Sequence, residues 1–344
     1  MSHRFGIMGV PSDGESVPFP QLSERLRFVN RCQKTAAIVL VAVFAWAAAG
    51  NAETLGRRRV MLLGDSWAMF MTLFRSFDQA FEARGLADTR ILPLNYPGTK
   101  ASEWNGWLGR FVIAFSLARN SSVDVVVMTL GGNDLLAGYS TELTDAEKDK
   151  LFDGIRHSLE GLVSFILSRR SDLRVVICGY DYPNYVESVE YNLFDVYRRQ
   201  WEDAGRPTPD QANEAIVRLG CIQQAIADKY RRVEFVNNFG LMQWAFGYPN
   251  RGIAPESGPY PADRLEEAAP LGGYLDLPSP PGAMLQVWFF LDAIHLSPEG
   301  YALVAGNVVD RCLADLLTGT ADANGKTAAR ASRQMRFNRY RLGR

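Results

Sequence analysis

Arg59-Val60-Met61-Leu62-Leu63-Gly64-Asp65-Ser66 is an apolar run that ends abruptly in a glycine, a carboxylate and a hydroxyl. A short apolar run closed by a turn signal reads as a strand buried on both faces. Residues 67–84 then carry a helical pattern, closed by Gly85. The same alternation recurs along the chain. Residues 90–95 form a second strand, stopped by Pro97-Gly98, and 102–119 a second helix. Residues 124–130, with Val125, Val126 and Val127 at their centre, are the clearest strand and stop at Gly131-Gly132. Residues 144–169 read as a long amphipathic helix that opens with the capping pair Thr144 and Glu147. A strand over 173–179, a helix over 209–230 and a strand over 233–237 continue the pattern. Residues 297–317, with Pro298 in the first turn, close it as a helix. Strands alternating with helices predict a three-layer α/β/α sandwich around a parallel five-stranded sheet. Ligands of such sheets sit beyond the carboxyl ends of the strands.

The rest of the chain sets boundaries on this reading. A 344-residue chain with 47% hydrophobic residues can bury a core without covalent staples. A net charge of -1 gives no reason to expect a nucleic-acid partner. The charge is unevenly placed: residues 321–344 hold seven basic residues and one acid, which leaves the body acidic. That tail is expected to be a flexible extension able to touch a membrane or another anionic surface. At the other end, Arg25, Arg27, Arg31 and Lys34 precede an uncharged run over 35–52. Its apolar part, 36–49, has the length of a signal-peptide core and is short for a spanning helix. The small residues Ala47-Ala48-Ala49 and Gly50-Asn51-Ala52 suit cleavage. Residues 1–52 are therefore expected to be an export signal or membrane anchor, and 53–320 a periplasmic or secreted domain. Cys32 falls in the first segment, so Cys178, Cys221 and Cys312 remain. An odd, widely spaced set is neither a disulfide framework nor a metal cluster, and a single bridge and free thiols both fit it.

Four short segments carry chemistry. Ser66 follows the first strand and opens a helix, where free N–H groups and the dipole favour developing negative charge. On its own, Gly64-Asp65-Ser66 reads more readily as a helix cap. Gly131-Gly132-Asn133-Asp134 ends the third strand, and the Asn133 carboxamide can donate to an oxyanion. Gly98, in Asn95-Tyr96-Pro97-Gly98, can present its N–H to the same point. Each of these is also an ordinary turn. The fourth segment is Asp292-Ala293-Ile294-His295. A carboxylate three residues before an imidazole can hold one ring nitrogen while the other faces a hydroxyl. Of the chain's three histidines, His3 precedes the apolar run and His157 falls within the long helix. His295 is thus the one good candidate base.

Taken in order, Gly64-Asp65-Ser66, Gly98, Gly131-Gly132-Asn133-Asp134 and Asp292-x-x-His295 resemble the conserved blocks of the SGNH/GDSL hydrolases. The likeness extends loosely from Arg58 to Leu317. It implies a flavodoxin-like sandwich and a serine esterase that needs no cofactor and no metal. It also implies Ser66 as nucleophile, His295 as base and then acid, and Asp292 orienting it. The Ser66 and Gly98 N–H groups and the Asn133 side chain would form the oxyanion hole. His295 must be neutral to accept the proton, so activity is expected to rise with pH.

Two departures bear on the substrate. Bulky apolar Trp67-Ala68-Met69-Phe70 follows the serine, suited to lining an acyl pocket or to packing the helix. An insert spans about 180–288, in which Trp244, Tyr274 and Trp288 can stack on a sugar or simply pack against the core. Trp67 and Trp288 are the candidate substrate contacts. The substrate is expected to be a small-molecule, glycan or lipid ester. An exported O-acyltransferase acting on a glycan remains open, as does a non-catalytic binding module on the same fold.

Overall fold

The structure, a computed structural model, describes residues 58–192, 196–265, 271–287 and 290–319. Residues 1–52, expected to direct export or anchor the chain, the basic tail and Trp288 lie outside the described residues.

Five parallel strands form the main sheet: β1 (Arg58–Gly64), β2 (Arg90–Asn95), β3 (Val125–Thr129), β4 (Arg174–Cys178) and β5 (Val233–Val236). Their order is β2-β1-β3-β4-β5, the flavodoxin-like order expected. Every residue of β3 is buried, as two-sided covering demands of a Val-rich strand. β2 lies at one edge of the sheet, where Pro93 is exposed and its missing N–H costs no ladder bond.

Helices cover both faces. α1 (Ser66–Leu73), α2 (Ser76–Glu82) and the late helix α11 (Pro298–Val308) pack together on one face. The other face carries α3 (Ala101–Asn105), α4 (Trp107–Arg119), the short α5 (Gly132–Gly138), α6 (Asp145–Leu167) and α9 (Pro209–Lys229). The capping box at Thr144 and Glu147 forms as the sequence indicates. Two expected helices are broken. The helix over 67–84 divides where Arg75 takes a left-handed conformation, φ 55°. That over 102–119 divides at Gly106, which is extended.

The insert is built rather than looped. After β4 come α7 (Tyr185–Tyr191) and α8 (Val196–Asp203), and after β5 comes α10 (Leu241–Phe246). Two antiparallel strands follow, β6 (Met284–Val287) and β7 (Phe290–Leu296). β7 carries Asp292 and His295, in a region where the sequence pattern indicates no strand. Cys178 and Cys312 are buried and Cys221 is exposed, and among the described residues none of them is in a disulfide. Among the described residues, no helix is long and apolar enough to cross a membrane.

Candidate active site

The order in which the chain adds strands reverses at β1. The chain passes from β1 outward to β2, then returns across to β3 on the other side. Loops leaving β1 and β3 therefore diverge to opposite faces and open a crevice at their carboxyl ends. Ser66 follows β1, Asn133 follows β3, and Gly98 lies in the turn after β2.

Local packing requires the glycines here. A Cβ on Gly64 would stand 2.2 Å from Thr129 Oγ1 and 2.6 Å from Thr129 O. Gly131, the residue before α5, has φ 108°, a conformation L side chains rarely adopt. Asp65 caps α1 by accepting the Trp67 N–H at 3.0 Å, and so fixes Ser66 as the first residue of that helix.

The imidazole of His295 bridges the two remaining partners. Its Nε2 lies 2.8 Å from Ser66 Oγ and its Nδ1 2.8 Å from Asp292 Oδ2. The other carboxylate oxygen, Oδ1, accepts the backbone N–H groups of Ile294 and His295, each at 2.8 Å. Burial raises the Asp292 pKa, but His295, Tyr197 and the Ile294 N–H outweigh it and hold the carboxyl below its ordinary value. Phe70 lies edge-on to the imidazole, with ring centres 4.9 Å apart. Trp67 donates its indole N–H to Ile294 O at 3.0 Å, linking α1 to β7.

The donors on the sheet side are tied together. The Tyr96 N–H donates to Gly64 O, which holds the turn containing Gly98 against the end of β1. Asn133 Nδ2 donates to Thr99 O at 3.1 Å and reaches Asp65 Oδ2 at a long 3.4 Å. Asp134 accepts the Ala101 N–H at 2.7 Å and thereby docks α3 on the same edge. Asp65 is buried and accepts the Tyr180 hydroxyl at 2.7 Å. Burial raises its pKa to about 6, against the opposing pull of Tyr180, the Trp67 N–H and His295.

A cavity of about 90 Å³ adjoins Ser66, Trp67 and Asn133. Of the aromatics expected to contact substrate, Trp67 lines it, although it is itself only 5% exposed and packs edge-on to Tyr180 and Tyr301. Trp244 and Tyr274 do not line it, and Trp244 instead packs edge-on to Tyr260 at 4.8 Å. His157 is exposed on α6, its Nδ1 2.7 Å from Asp153 O. Sequence reasoning missed Tyr180 and Tyr197, which steady the two aspartates from the insert. Their motifs are unremarkable, and only the fold brings them here. Among the described residues, no group of three His, Cys, Asp or Glu side chains could hold a metal ion.

Comparison with known proteins agrees with this architecture. The model of the GDSL-like Lipase/Acylhydrolase family matches residues 62–303. No curated protein matches the chain. Among solved structures, a protein from Streptococcus pneumonia provisionally named platelet activating factor superposes with a TM-score of 0.50 at 15% identity. That match covers 84% of this chain and 98% of the other. A carbohydrate acetylesterase from Sinorhizobium meliloti gives a TM-score of 0.43 at 16% identity, covering 76% of this chain and 100% of the other. The periplasmic domain of a lipopolysaccharide acetyltransferase from Salmonella ser. Paratyphi A gives 0.42 at 15% identity, covering 75% and 84%.

Proposed function

The chain belongs to the GDSL-like lipase/acylhydrolase family, and from that premise we propose that it is a serine esterase working through an acyl-enzyme on Ser66. The observation that carries this reading is the relay of two 2.8 Å contacts, Ser66 Oγ to His295 Nε2 and His295 Nδ1 to Asp292. A hydroxyl is a weak nucleophile at its own pKa and needs a base at this distance.

His295 Nε2 takes the Ser66 proton as Oγ bonds to the ester carbonyl carbon, and the carbonyl electron pair moves onto oxygen. The Ser66 and Gly98 N–H groups and Asn133 Nδ2 are the donors for that oxyanion. Asn133 Nδ2 is anchored by Thr99 O at 3.1 Å, and its second contact, to Asp65 at 3.4 Å, is long and weak, which leaves donor capacity for the new charge. His295 then gives its proton to the leaving alkoxide as the carbon–oxygen bond breaks. Water repeats the cycle and frees the acid. Asp292, held ionised, keeps Nδ1 protonated and stabilises the imidazolium.

The same reading places the enzyme outside the cytoplasm, on the strength of the basic-flanked apolar run before residue 52. Its partner is an ester-bearing small molecule or glycan. Fluorophosphonate labelling followed by peptide mass spectrometry tests the nucleophile. The adduct is expected on the peptide holding Ser66, and to vanish in Ser66→Ala. A label on another residue, or ester turnover without any label, overturns the assignment.

A further inference from the structure

The cavity beside Ser66 has walls from three helices that are distant in sequence. Leu135, Leu136 and Tyr139 present one face of α5 and its end, at the three-and-four spacing that aligns side chains. Ala212, Ala215 and Ile216 do the same from the first turns of α9. Gln200, Ala204 and Pro207, on α8 and just beyond it, close the far side. That closing segment is fixed in place. The Thr141 N–H donates to Ala204 O at 2.9 Å, the Thr141 hydroxyl to Gly205 O at 2.8 Å, and the Trp201 indole to Pro207 O at 3.0 Å.

We propose that this chamber receives the acyl chain of the ester, so that the substrate carries an acyl group longer than acetyl and the insert sets the chain length. The proposal rests on the esterase reading above.

Three observations support it. The first is orientation. A leaving alcohol must lie within reach of His295 Nε2, which protonates it. The chamber touches Ser66 and Asn133, yet His295 is not part of its wall. It therefore opens on the acyl side of the scissile bond.

The second is chemistry. The two carboxylates in its wall are already satisfied. Asp181 accepts the N–H groups of Tyr182, Gly240 and Met242 at 2.7–2.8 Å. Asp65 accepts Trp67, Tyr180 and Asn133. A sugar ring placed there would bury hydroxyls against Leu, Ile, Ala and Pro side chains with few partners, which is costly. A hydrocarbon chain meets no such penalty.

The third is size. A cavity of about 90 Å³ far exceeds the roughly 10–15 Å³ that one water needs, and so takes several heavy atoms rather than a lone methyl. The room is there because positions 204, 212 and 215 are alanines.

The test compares kcat/KM on p-nitrophenyl acetate, butyrate, hexanoate and octanoate. A common leaving group confines any difference to the acyl side. Each CH₂ taken up by an apolar pocket is worth about 0.8 kcal/mol, roughly fourfold, so butyrate, with two more, should exceed acetate by about fifteenfold. Ala212→Phe and Ala204→Phe, which fill the chamber from two different elements, should bring the butyrate-to-acetate ratio to about one or below. Leu136→Ala should move the optimum to a longer chain. A wild-type profile that is flat or falls from acetate overturns the proposal. So does a profile that survives both fillings in folded protein. A small fluorophosphonate separates the two readings: Ser66 labelled with an unchanged profile sinks the chamber alone, and no labelling of the wild type sinks the esterase reading beneath it.

Discussion

Ser66 and Asn133 hang from β1 and β3, strands that are buried and paired along both edges. Asp292 and His295 hang from β7, which among the described residues pairs with β6 alone. Groups from α7 and its two capping residues, Asn184 and Asn192, take the place of a missing strand. Asn192 accepts the Leu291 N–H and donates to Leu291 O, each at 2.7 Å, as a neighbouring backbone would. Ser188 adds a hydroxyl to the same carbonyl at 2.7 Å, and the Asn184 N–H donates to Ala293 O at 2.7 Å. One half of the site is positioned by the fold as a whole, the other by a few stitches from the insert. Cooperative sheets lose little when one contact is removed, whereas a strand held by side chains depends on each of them.

This contrast can be sharpened by experiment. On the sheet side, Asn133→Ala should lower kcat by about 10²–10³, the usual loss for an oxyanion donor, with little change in stability. A fall in KM-dependent terms alone would mean that Asn133 only binds substrate. On the β7 side, Asn192→Ala takes the acceptor from the Leu291 N–H, while Ser188 still serves the Leu291 carbonyl, and should cost about 1–3 kcal/mol. Hydrogen exchange at Leu291 should speed up while amides of β3 keep their protection. Uniform loosening of both regions would show that β7 is not a separately held element.

A smaller effect comes from the buried carboxylates. Burial lifts Asp65 to about 6 and Asp181 to about 7, above the ordinary 3.8 that each regains on unfolding. Between about pH 4 and 7 the native state therefore binds more protons than the unfolded state, and stability falls as pH rises through that window. Asp292 acts oppositely. Its contribution is present above the ordinary carboxylate range and is lost only as pH falls below it. Urea midpoints from pH 4 to 8 should show a shallower slope for Asp181→Asn than for wild type. Parallel slopes would mean that Asp181 is not the titrating group.

The same contrast explains what the sequence reveals. The main sheet is legible because buried parallel strands read as unbroken apolar runs. The first half of the site is legible because each of its members ends such a run. Phe290-Leu291-Asp292-Ala293-Ile294-His295-Leu296 has no clean alternation of buried and exposed positions, since helices and strand β6 cover it irregularly. The aspartate and histidine are visible in the sequence, but the strand beneath them is not. The break at Arg75 carries no Gly or Pro to announce it, unlike that at Gly106. The chamber is hidden for another reason. Its walls are ordinary helix faces, and only the topology brings residues 132–139, 200–207 and 212–216 to one place.

For turnover, the two regions must act as a single unit. Kinetics of Ser66→Ala, His295→Ala and the double variant on one ester measure this directly. Each single change is predicted to lower kcat by about 10⁴–10⁶, with the double variant no worse than either, because a nucleophile without its base and a base without its nucleophile are equally idle. Losses that multiply, or a Ser66→Ala enzyme that keeps wild-type turnover, would contradict it.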